Sequence, residues 1–575
     1  MEKWFLIRKG GDYTALGKKY GISPVAARIM KNRGISTEEE ARAFLSVGAA
    51  GLFDGEQMAD CRKAVAVLKQ KIEEKKKIRV IGDYDIDGVT STFILVKGLR
   101  KTGADADHCI PHRVKDGYGL NENLIREAHA DGIDTILTCD NGISAAPQIE
   151  LANSLGMTVV VTDHHEIPFH MEGDTRVEDL PPAAAVVDPH RSDCPYPYKM
   201  LCGAAVAWKV LQVLYREMGI PASEAEEFLE IAAFATIGDV MPLTGENRTL
   251  VREGLKRLKD TKNKGMRALI DLSGLAGKIL EPYHVGFVLG PCLNAAGRLD
   301  TAEDALTLLL SEEDHVAHDK AVILKEMNES RKSLTEKGVE AASELASDPE
   351  HESDRVLVIY LHDCHESIVG IIAGKIRERF SKPVFVLTEG QLSDGTPCLK
   401  GSGRSIEAYN MYEEMIGIRD VFLQFGGHAM AAGLSIAPER LEEFRKRLNE
   451  NTVLTEEDLM PRVHIDMELP FRYASLDLVD DLKILEPYGT GNEKPLFAAR
   501  NVTLENMRVF GKSRNVLKGT AVDESGVRQD VVYFGAADEM EQYIRERGKV
   551  AVTYNPDRNE FGGNVTLQLI LKNVR

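Results

Sequence analysis

The sequence lacks the cysteine patterns that organise zinc ribbons and disulfide frameworks. Its eight cysteines are scattered over 575 residues, and none forms a Cys-x-x-Cys pair. It also has no apolar run of about 18 residues, which argues against a membrane span. The first residues lack the apolar core and small-residue cleavage site of a signal peptide. We therefore expect a protein of the reducing cytoplasm.

Positive charge is also scarce. The chain carries 71 Lys and Arg against 90 Asp and Glu, a formal net charge of -19. This balance argues against a protein that coats its whole surface with nucleic acid, because the phosphate backbone would be repelled. It leaves room for a local basic channel, since part of the acidic excess lies in solvent-facing helical segments such as residues 222–227.

The chain does contain a succession of differently patterned regions, and its length implies several domains. From residue 78, strand-like apolar runs alternate with Gly-containing loops and helical segments, the pattern of a doubly wound parallel α/β sheet. Residues 312–345 hold few helix breakers and predict one long helix. The predicted regions are an N-terminal helical region (1–75), a first α/β domain (76–300), a helical connector (301–350), a second α/β domain (351–455) and a C-terminal β-barrel of the OB type (456–575).

Four short acidic segments stand out in this pattern. The first three each follow an apolar run that predicts a buried strand, and the fourth follows a helix predicted over residues 224–236. Because the carboxyl ends of parallel strands meet at one edge of a sheet, we expect these side chains to converge there. The segments are residues 83–88 with Asp83, Asp85 and Asp87, residues 140–142 with Asp140, residues 163–165 with Asp163, His164 and His165, and residues 238–239 with Asp239.

Carboxylates gathered in one place repel each other and lose hydration, a cost that divalent cations offset. A calcium loop of the EF-hand type is excluded, because the twelfth position counted from Asp83 is Ile94 rather than a glutamate. Oxygen and imidazole ligands without thiolates favour Mn²⁺ or Mg²⁺ over zinc. Two such ions roughly 3.5–4 Å apart can clamp a phosphoryl group and produce a hydroxide nucleophile, so the pattern favours phosphoester hydrolysis.

The Asp-x-Asp-x-Asp-Gly segment at residues 83–88 and the later Asp163, His164 and His165 resemble the DHH phosphoesterase superfamily. Within that superfamily the chain resembles the RecJ-type single-strand-specific exonucleases, because further matching segments follow in family order over nearly the whole chain. These segments are residues 111–113 with 117–119, 293–299, 401–405, 425–433 and 485–492.

The resemblance implies a 5′→3′ exonuclease on single-stranded DNA, acting in DNA repair and recombination with two Mn²⁺ or Mg²⁺ ions. It implies that residues 76–300 are a DHH domain, that residues 351–455 are a DHH-associated domain, and that the chain is a monomer. Single-stranded DNA is the expected partner, with a single-stranded-DNA-binding protein and a helicase as further partners. Carried over to this chain, the metal ligands are Asp83, Asp85, Asp87, Asp140, His164 and Asp239, and the catalytic residues are Asp85, Asp87, Asp140, His164, His165 and Asp239.

Some roles stay open at this point. His165 is either a metal ligand or a phosphate contact, and Asp163 is expected to orient a neighbouring histidine. The carboxylate that bridges the two metals is not assigned. In the barrel, single strands would bind through a basic groove and stacking aromatics, although aromatic residues on strands also serve as core. The candidates there are Tyr533, Phe534, Arg508, Lys512, Arg514 and Lys518.

A basic, Gly-rich segment at residues 401–405 has the composition of a phosphate-binding loop, although an ordinary turn has it too. Small residues let the backbone approach a phosphate, and Arg404 supplies a bidentate donor. The resemblance implies a pocket for the 5′-terminal phosphate. The alternative role for His428 is that of a structural histidine. The alternative role for Arg298 is to form a salt bridge at the domain junction. The expected substrate-binding residues are Arg113, Asn294, Arg298, Ser402, Arg404, Ser405 and His428.

Cys364 departs from the family pattern, which commonly has Trp there; the change lies outside the metal segments, and an inert buried thiol is expected. Two other functions are weighed. A small-substrate DHH phosphoesterase, acting on short oligonucleotides, cyclic dinucleotides or pyrophosphate, would leave the strand-rich C-terminus without a task. A catalytically inactive replication scaffold would have lost metal ligands, whereas every expected acidic position is occupied here.

Overall fold

A computed structural model describes residues 2–46, 48, 51–113, 115–117, 119–392 and 394–575. The chain forms two compact units. The smaller comprises residues 1–51, 242–252 and 462–575, and the larger comprises residues 52–241 and 253–461. Among the described residues, no helix is both long enough and apolar enough to cross a membrane.

The helices, in chain order, are α1 (Tyr13–Tyr20), α2 (Pro24–Asn32), α3 (Glu38–Leu45), α4 (Cys61–Glu73), α5 (Ile86–Lys101), α6 (Glu122–Ala130), α7 (Ala146–Ser154), α8 (Gly203–Glu217), α9 (Ala222–Glu226), α10 (Leu229–Gly238), α11 (Gly245–Leu258), α12 (Lys264–Leu272), α13 (Pro282–His284), α14 (Gly290–Leu299), α15 (Glu303–Leu310), α16 (Asp314–Ala346), α17 (Val369–Phe380), α18 (Met411–Ile416), α19 (Leu441–Asn451), α20 (Leu476–Leu482) and α21 (Ala537–Arg547).

The strands are β1 (Lys3–Leu6), β2 (Lys77–Ile81), β3 (Asp105–Cys109), β4 (Thr135–Cys139), β5 (Thr158–Thr162), β6 (Phe169–Glu172), β7 (Thr175–Glu178), β8 (Ala185–Val187), β9 (Leu357–Tyr360), β10 (Val384–Gln391), β11 (Pro397–Arg404), β12 (Phe422–Gly427), β13 (Ala431–Ile436), β14 (Arg462–Ile465), β15 (Met467–Glu468), β16 (Phe497–Phe510), β17 (Val516–Val522), β18 (Arg528–Phe534), β19 (Lys549–Phe561) and β20 (Asn564–Val574).

The larger unit contains a parallel sheet in the order β3-β2-β4-β5-β8. Ile81, Ile136 and Val161 pack with residues of α6 and α7 in one core cluster, while α5 packs against α8 and α10. Every residue of β4 is buried, as expected for a parallel strand covered on both faces. The doubly wound α/β fold predicted from the sequence is confirmed.

The strand order reverses beside β2, because β3 lies on one side of it and β4 on the other. Loops that leave the carboxyl ends of strands at such a switch point flank a crevice, where open α/β sheets bind ligands. Asp83 follows β2 within two residues, and Asp140 follows β4 directly. The topology therefore places two of the acidic segments at the ligand-binding edge of the sheet.

One helix boundary differs from the sequence-based prediction. Residues 224–236 were expected to form a single helix, but the structure has α9 and α10 with a break at Glu227 and Phe228. Phe228 is 1% exposed and makes an edge-on ring contact with Phe93 of α5. The break coincides with this buried ring contact, which a periodicity of apolar residues does not reveal.

Helix α16 is the connector within the larger unit. It has 33 residues and is about 50 Å long at ~1.5 Å per residue. It packs against α12, α14 and α15, and also against α17 and β9. It thereby joins the parallel sheet to a second, mixed sheet in the order β12-β13-β11-β10-β9. The long helix predicted between the two α/β regions is confirmed.

In the smaller unit, β16, β17, β18, β20 and β19 pair in that order, and β19 also pairs with β16. This last pairing closes the sheet into a five-stranded barrel, which removes its free edges. Phe471, Phe497 and Tyr554 fill the interior, each fully buried or nearly so. The predicted OB-type barrel is confirmed.

The N-terminal segment contributes a strand that the sequence did not indicate. The four residues of β1 pair in parallel with β14, with Lys3 opposite Arg462 and Leu6 opposite Ile465. Helices α1 to α3 follow, and each begins at a polar cap: Asp12, Ser23 and Thr37. A strand of four residues is too short to show a period, and its partner lies more than 450 residues away in the chain.

We expect two phenylalanines of β16 to differ sharply in their effect on stability. Phe497 is 0% exposed and Phe510 is 46% exposed. Phe497→Ala should lower the free energy of unfolding of the smaller unit by about 3–5 kcal/mol, because it opens a cavity. Phe510→Ala should lower it by less than ~0.5 kcal/mol.

The measurement is a urea titration in a Trp208→Phe background, where Trp4 is the remaining tryptophan and reports on the smaller unit. Equal losses in the two variants would mean that Phe497 does not support the barrel core.

Candidate active site

The loop between β2 and α5 turns tightly around a glycine. A Cβ atom on Gly88 would lie 2.4 Å from the carbonyl oxygen of Asp83, so a larger residue does not fit there. Asp85 begins α5 as its N-cap, since its Oδ1 accepts hydrogen bonds from the N–H groups of Asp87 (3.0 Å) and Gly88 (3.1 Å). The turn therefore fixes the three carboxylates of this segment relative to one another.

Asp87 is also tied to a second helix. Its two oxygens accept hydrogen bonds from the N–H groups of Gly203 (2.6 Å) and Ala204 (2.8 Å) at the start of α8. A helix N-terminus favours negative charge, yet burial raises the pKa of Asp87. A Cβ on Gly203 would lie 2.7 Å from the Cβ of Asp140, so this glycine lets α8 approach both carboxylates.

His164 lies among the carboxylates. Its Nε2 is 3.0 Å from Oδ1 of Asp140, 3.5 Å from Oδ2 of Asp87 and 3.8 Å from Oδ2 of Asp239. Burial lowers the pKa of His164, which favours the neutral imidazole that binds metal ions. Its buried Nδ1 has no hydrogen-bond partner within the part of the chain that the structure describes.

Asp163 holds the second histidine. Its Oδ2 accepts a hydrogen bond from the N–H of Ile143 (2.9 Å), and its Oδ1 lies 2.7 Å from Nδ1 of His165. Burial opposes ionisation of Asp163, but the hydrogen bond and charge of His165 hold its pKa below the ordinary value. Burial likewise opposes protonation of His165, but Asp163 outweighs it and raises the pKa of His165 to about 9. Each partner therefore favours the charged form of the other.

The candidate ligand atoms fall into three overlapping groups, and within each group the atoms lie within 4.8 Å of one another. Two residues, Asp140 and His164, each belong to two of the groups. This overlap is the arrangement expected for neighbouring ions that share ligands. The groups are Asp83 with Asp85 and Asp140, Asp87 with His164 and Asp239, and Asp140 with His164 and His165.

The chemistry of these groups fits divalent cations. Burial and then like charges raise the pKa values of Asp83, Asp140 and Asp239 well above the ordinary value. Oδ1 of Asp83 is buried and has no hydrogen-bond partner among the described residues. Asp140 has a φ of 59°, a left-handed conformation that costs energy in a non-glycine residue and often marks functional sites. Hard cations would supply the positive charge that these oxygens lack.

An open cleft of about 560 Å³ lies within the larger unit, between the region of the parallel sheet and the mixed sheet. Arg113 and Arg298 come from the first region, whereas β11 and the start of α17 come from the second. Among the described residues, three arginines line the wall without a carboxylate partner there, while Lys400 pairs with Glu366 (2.9 Å), so the cleft suits an anion. The residues that line it include Arg113, Arg298, Glu366, Ser367, Gly370, Lys400, Ser402, Arg404, Gln424 and Phe425.

Arg404 reaches the helix side of the cleft from β11. Its Nη1 donates to Oγ of Ser402 (3.0 Å) and to the carbonyl oxygen of Gly403 (2.7 Å). A Cβ on Gly370 would lie 3.0 Å from Nη2 of Arg404 and 2.9 Å from Oγ of Ser402. Burial and the charge of Arg377 lower the pKa of Arg404. A phosphate here would meet a guanidinium, a hydroxyl and the N-terminus of α17.

Two further guanidinium groups face the same cleft. Arg298 donates to the carbonyl oxygen of Ser367 (2.7 Å), and Arg113 donates to that of Gly297 (3.1 Å). Burial, followed by the charge of Arg113, lowers the pKa of Arg298 to about 10. The guanidinium of Arg113 lies 4.0 Å from the ring centre of Tyr84. Because Tyr84 stands between Asp83 and Asp85, this stacking joins the basic cleft to the acidic loop.

Comparisons with known proteins cover the regions that carry this geometry. Residues 77–236 match the DHH family, N-terminal domain, residues 353–453 the DHHA1 domain, and residues 465–573 the RecJ OB domain. The chain is 34% identical to the single-stranded-DNA-specific exonuclease RecJ of Bacillus subtilis, over 100% of this chain and 70% of that protein. It is also 34% identical to the RecJ of Escherichia coli, over 96% of both chains. This chain belongs to the RecJ family.

Solved structures of RecJ agree with this membership. The crystal structure of RecJ in complex with Mn²⁺ from Thermus thermophilus is similar to this chain with a TM-score of 0.81 and 28% identity, covering 100% of this chain and 79% of that one. The Mg²⁺ complex of the same RecJ has a TM-score of 0.78. The RecJ-type resemblance predicted from the sequence is thereby confirmed.

Three residues that the RecJ resemblance predicts to bind substrate are not among those that line the cleft with Arg404. Oδ1 of Asn294 accepts a hydrogen bond from the first N–H group of α5 (2.8 Å). Ser405 is 1% exposed and donates to a backbone carbonyl oxygen (2.6 Å). His428 is exposed in the turn between β12 and β13. Tyr118, part of a RecJ-type motif, lies outside the described residues. Their roles in substrate binding stay predictions.

Two features of this RecJ-family site were missed by sequence reasoning. Tyr84 is flanked by aspartates, and its contact with Arg113 depends on the fold. Gly203 and Ala204 lie 116 and 117 residues after Asp87, and their N–H groups are functional through the backbone alone. The sequence signal was the pair of small residues at the start of a predicted helix. Small residues permit close approach of another segment, but they do not indicate which segment approaches.

Replacement of Asp140 by Asn tests the electrostatic account of the RecJ-family metal site. Without metal, the variant should melt at a higher temperature than the natural protein, because one buried, mutually repelling carboxylate is neutralised. With Mn²⁺, the natural protein should gain stability and the variant should gain little. Thermal unfolding with Mn²⁺ or chelator measures both effects.

The exposed Asp174→Asn variant serves as the control and should behave as the natural protein does. Mn²⁺ affinity should also fall as the pH is lowered, because ligands with raised pKa values bind protons in competition with the metal. An Asp140→Asn protein that keeps the full Mn²⁺-induced gain would contradict the account.

Proposed function

We propose that this chain is a single-stranded-DNA-specific 5′→3′ exonuclease that hydrolyses phosphodiester bonds with two Mn²⁺ or Mg²⁺ ions. The observation that carries the proposal is the direct link between the acidic cluster and the arginine-lined cleft through Tyr84 and Arg113. The relatives named single-stranded-DNA-specific exonuclease support the substrate and the reaction. The Mn²⁺ and Mg²⁺ complexes of Thermus thermophilus RecJ support the cofactor.

Two sets of ligands would hold the ions, Asp83, Asp85 and Asp140 in one set and Asp87, His164 and Asp239 in the other. When bound, the ions supply an activated water and Lewis-acid stabilisation of the phosphoryl oxygens. The chain holds the ligands in place, because Asp85 is fixed by the start of α5 and Asp87 by the start of α8. The proposed metal ligands are Asp83, Asp85, Asp87, Asp140, His164 and Asp239, and the proposed catalytic residues are Asp85, Asp87, Asp140, His164, His165 and Asp239.

His165 suits a phosphate contact better than a metal ligand. Its pKa is raised to about 9 by Asp163, so it carries a positive charge at neutral pH. With Nδ1 turned to Asp163, Nε2 is the atom that can donate a hydrogen bond to a phosphate oxygen. The charge that develops on the phosphoryl group would strengthen this bond.

The cleft would set the polarity of the reaction by binding the terminal 5′ phosphate. Arg404 and Ser402 would hold it at the start of α17, while Arg113 and Arg298 would neutralise its charge. With the end of the strand anchored there, the first linkage would lie at the metals. Asn294, Ser405 and His428 are further candidates for substrate binding. The guanidinium and hydroxyl groups of the cleft also explain how a chain with a charge of -19 can attract DNA locally.

The barrel would supply a second surface that binds the single strand. Phe534 is 60% exposed and Phe510 46% exposed, and Nζ of Lys518 lies 6.0 Å from the ring centre of Phe510. These groups suit stacking and backbone contacts. Tyr533 instead packs against the barrel core, and Arg514 pairs with Asp538. Arg508 and Lys512 complete the set of candidates.

We propose a cytoplasmic role in DNA repair and recombination for a monomeric chain that works with a helicase and a single-stranded-DNA-binding protein. The proposed domains keep the sequence-based boundaries at residues 1–75, 76–300, 301–350, 351–455 and 456–575. The comparisons favour neither alternative function. Every acidic residue proposed as a ligand falls in one of the three candidate groups, and the RecJ relatives match nearly the whole length of the chain rather than its first two domains.

Removing one ligand from either metal group should abolish cleavage. Asp85→Ala and His164→Ala should each reduce the release of nucleotides by about 10³-fold or more, because transition-state stabilisation by metal ions is worth several kcal/mol. The measurement is a time course with single-stranded DNA labelled at either end. His170→Ala removes an exposed histidine outside the acidic cluster and should leave the rate unchanged. Full activity in a folded Asp85→Ala or His164→Ala variant would remove the two-metal assignment.

Arg404→Ala should weaken the preference for 5′-phosphorylated ends. A charge-assisted hydrogen bond to a phosphate is worth about 1.5–3 kcal/mol, so we expect the ratio of kcat/KM for phosphorylated and hydroxyl ends to fall by about tenfold or more. Arg377→Ala removes a neighbouring guanidinium that does not line the cleft and should keep the ratio. An unchanged ratio in Arg404→Ala would refute the phosphate pocket.

A further inference from the structure

Tyr283 and Phe287 form an exposed aromatic pair on the larger unit. Their side chains are 61% and 70% exposed, their ring centres are 5.2 Å apart, and the ring planes differ by 25°. The two rings are therefore stacked on each other and present their free edges and faces to solvent. Stacked rings that are exposed in this way offer a surface on which another flat ring can stack.

The backbone around the pair is also unusual. Tyr283 lies in α13, and Val285–Leu289 then form a π-helical turn that leads directly into α14. Such turns are rare and occur frequently at functional sites. Val285 and Leu289 are both fully buried, so the turn is anchored on one side and displays Phe287 on the other.

This helical segment runs past the loop between β2 and α5. A Cβ on Gly290 would lie 3.1 Å from Cδ1 of Ile86, and one on Gly297 would lie 2.1 Å from the carbonyl oxygen of Tyr84. Both contacts are with the loop that carries Asp83, Asp85 and Asp87. The segment ends at Arg298 in the basic cleft. Along the helix, the aromatic pair therefore comes first, then the contacts with the loop between β2 and α5, and then the basic cleft.

We propose that Tyr283 and Phe287 are a stacking platform for the bases of single-stranded DNA on the 3′ side of the cleavage site. The inference rests on the proposed function, which puts the 5′ phosphate beside Arg298 and the first linkage at the metals. A strand that continues in the same direction passes the acidic loop and reaches the aromatic pair. Nucleobases suit this surface because every base has a face that stacks on an aromatic ring without regard to sequence.

The helix gives the distance between the aromatic pair and the basic cleft. Phe287 and Arg298 are eleven residues apart, which is about 16 Å at ~1.5 Å per residue. A stacked strand advances by roughly 3.4 Å per nucleotide, so the platform should hold the base about five nucleotides from the 5′ end. Substrates of two or three nucleotides would end before they reach it.

A binding experiment in chelator tests the platform without cleavage. A 5′-phosphorylated 12-mer would carry 2-aminopurine at each position in turn, and its fluorescence is quenched when the base stacks. When quenching is plotted against the position of 2-aminopurine, the natural protein should show an additional maximum near the fifth nucleotide from the 5′ end. Phe287→Trp should keep that maximum. Tyr283→Leu with Phe287→Leu should abolish it, because leucine retains apolar surface but offers no ring face.

Kinetics with metal supply the second readout. The double leucine variant should raise the KM for the 12-mer by about tenfold, the change expected from the loss of one base–aromatic contact. It should leave kcat and KM for a dinucleotide unchanged. A quenching profile that is unaltered in the double leucine variant would overturn the platform. An equal rise in KM for the dinucleotide would also overturn it. Failure of the natural protein to cleave any substrate would refute the proposed function instead, and quenching in chelator would still decide the platform.

Discussion

The burial of several carboxylates at one edge of a sheet is the constraint on which the rest of this structure depends. Asp83, Asp140 and Asp239 resist ionisation because they are buried beside like charges, which raises their pKa values. Such a cluster persists only where the backbone holds each member in place and a counter-charge is supplied. The N-termini of α5 and α8 hold the neighbouring Asp85 and Asp87 in place, and His164 lies 3.0 Å from Asp140, so the chain supplies part of that support. Divalent cations would provide the rest.

The basic cleft depends on the same loop that carries the acidic cluster. Tyr84 stacks under Arg113, and Gly297 of α14 fits against the carbonyl group of Tyr84. One helix can therefore contact the metal loop and place Arg298 in the cleft. The negative side chains of the loop and the positive side chains of the cleft are therefore a short distance apart. This suits a reaction in which the cleft binds a phosphate and the acidic side chains bind metal ions. The overall acidity of the protein and its affinity for DNA are then compatible, because attraction is confined to the cleft.

The sequence predicted the parts of this fold that repeat a local pattern. Alternating strands and helices, the long α16 and the acidic segments at strand ends all follow from periodicity and from the chemistry of carboxylates. Contacts between distant parts of the chain were not predictable in this way. The pairing of β1 with β14 and the hydrogen bonds from Gly203 and Ala204 to Asp87 leave no local signal. Ser405 shows the converse: its motif points to phosphate, but its hydroxyl donates to a buried carbonyl group.

We propose above all that the carboxylates and His164 at this edge of the sheet bind two metal ions. Anomalous X-ray scattering from crystals grown with Mn²⁺ tests it most directly. We predict two manganese peaks, one beside Asp83, Asp85 and Asp140 and the other beside Asp87, His164 and Asp239. A single peak, or peaks away from these six residues, would contradict the two-metal assignment.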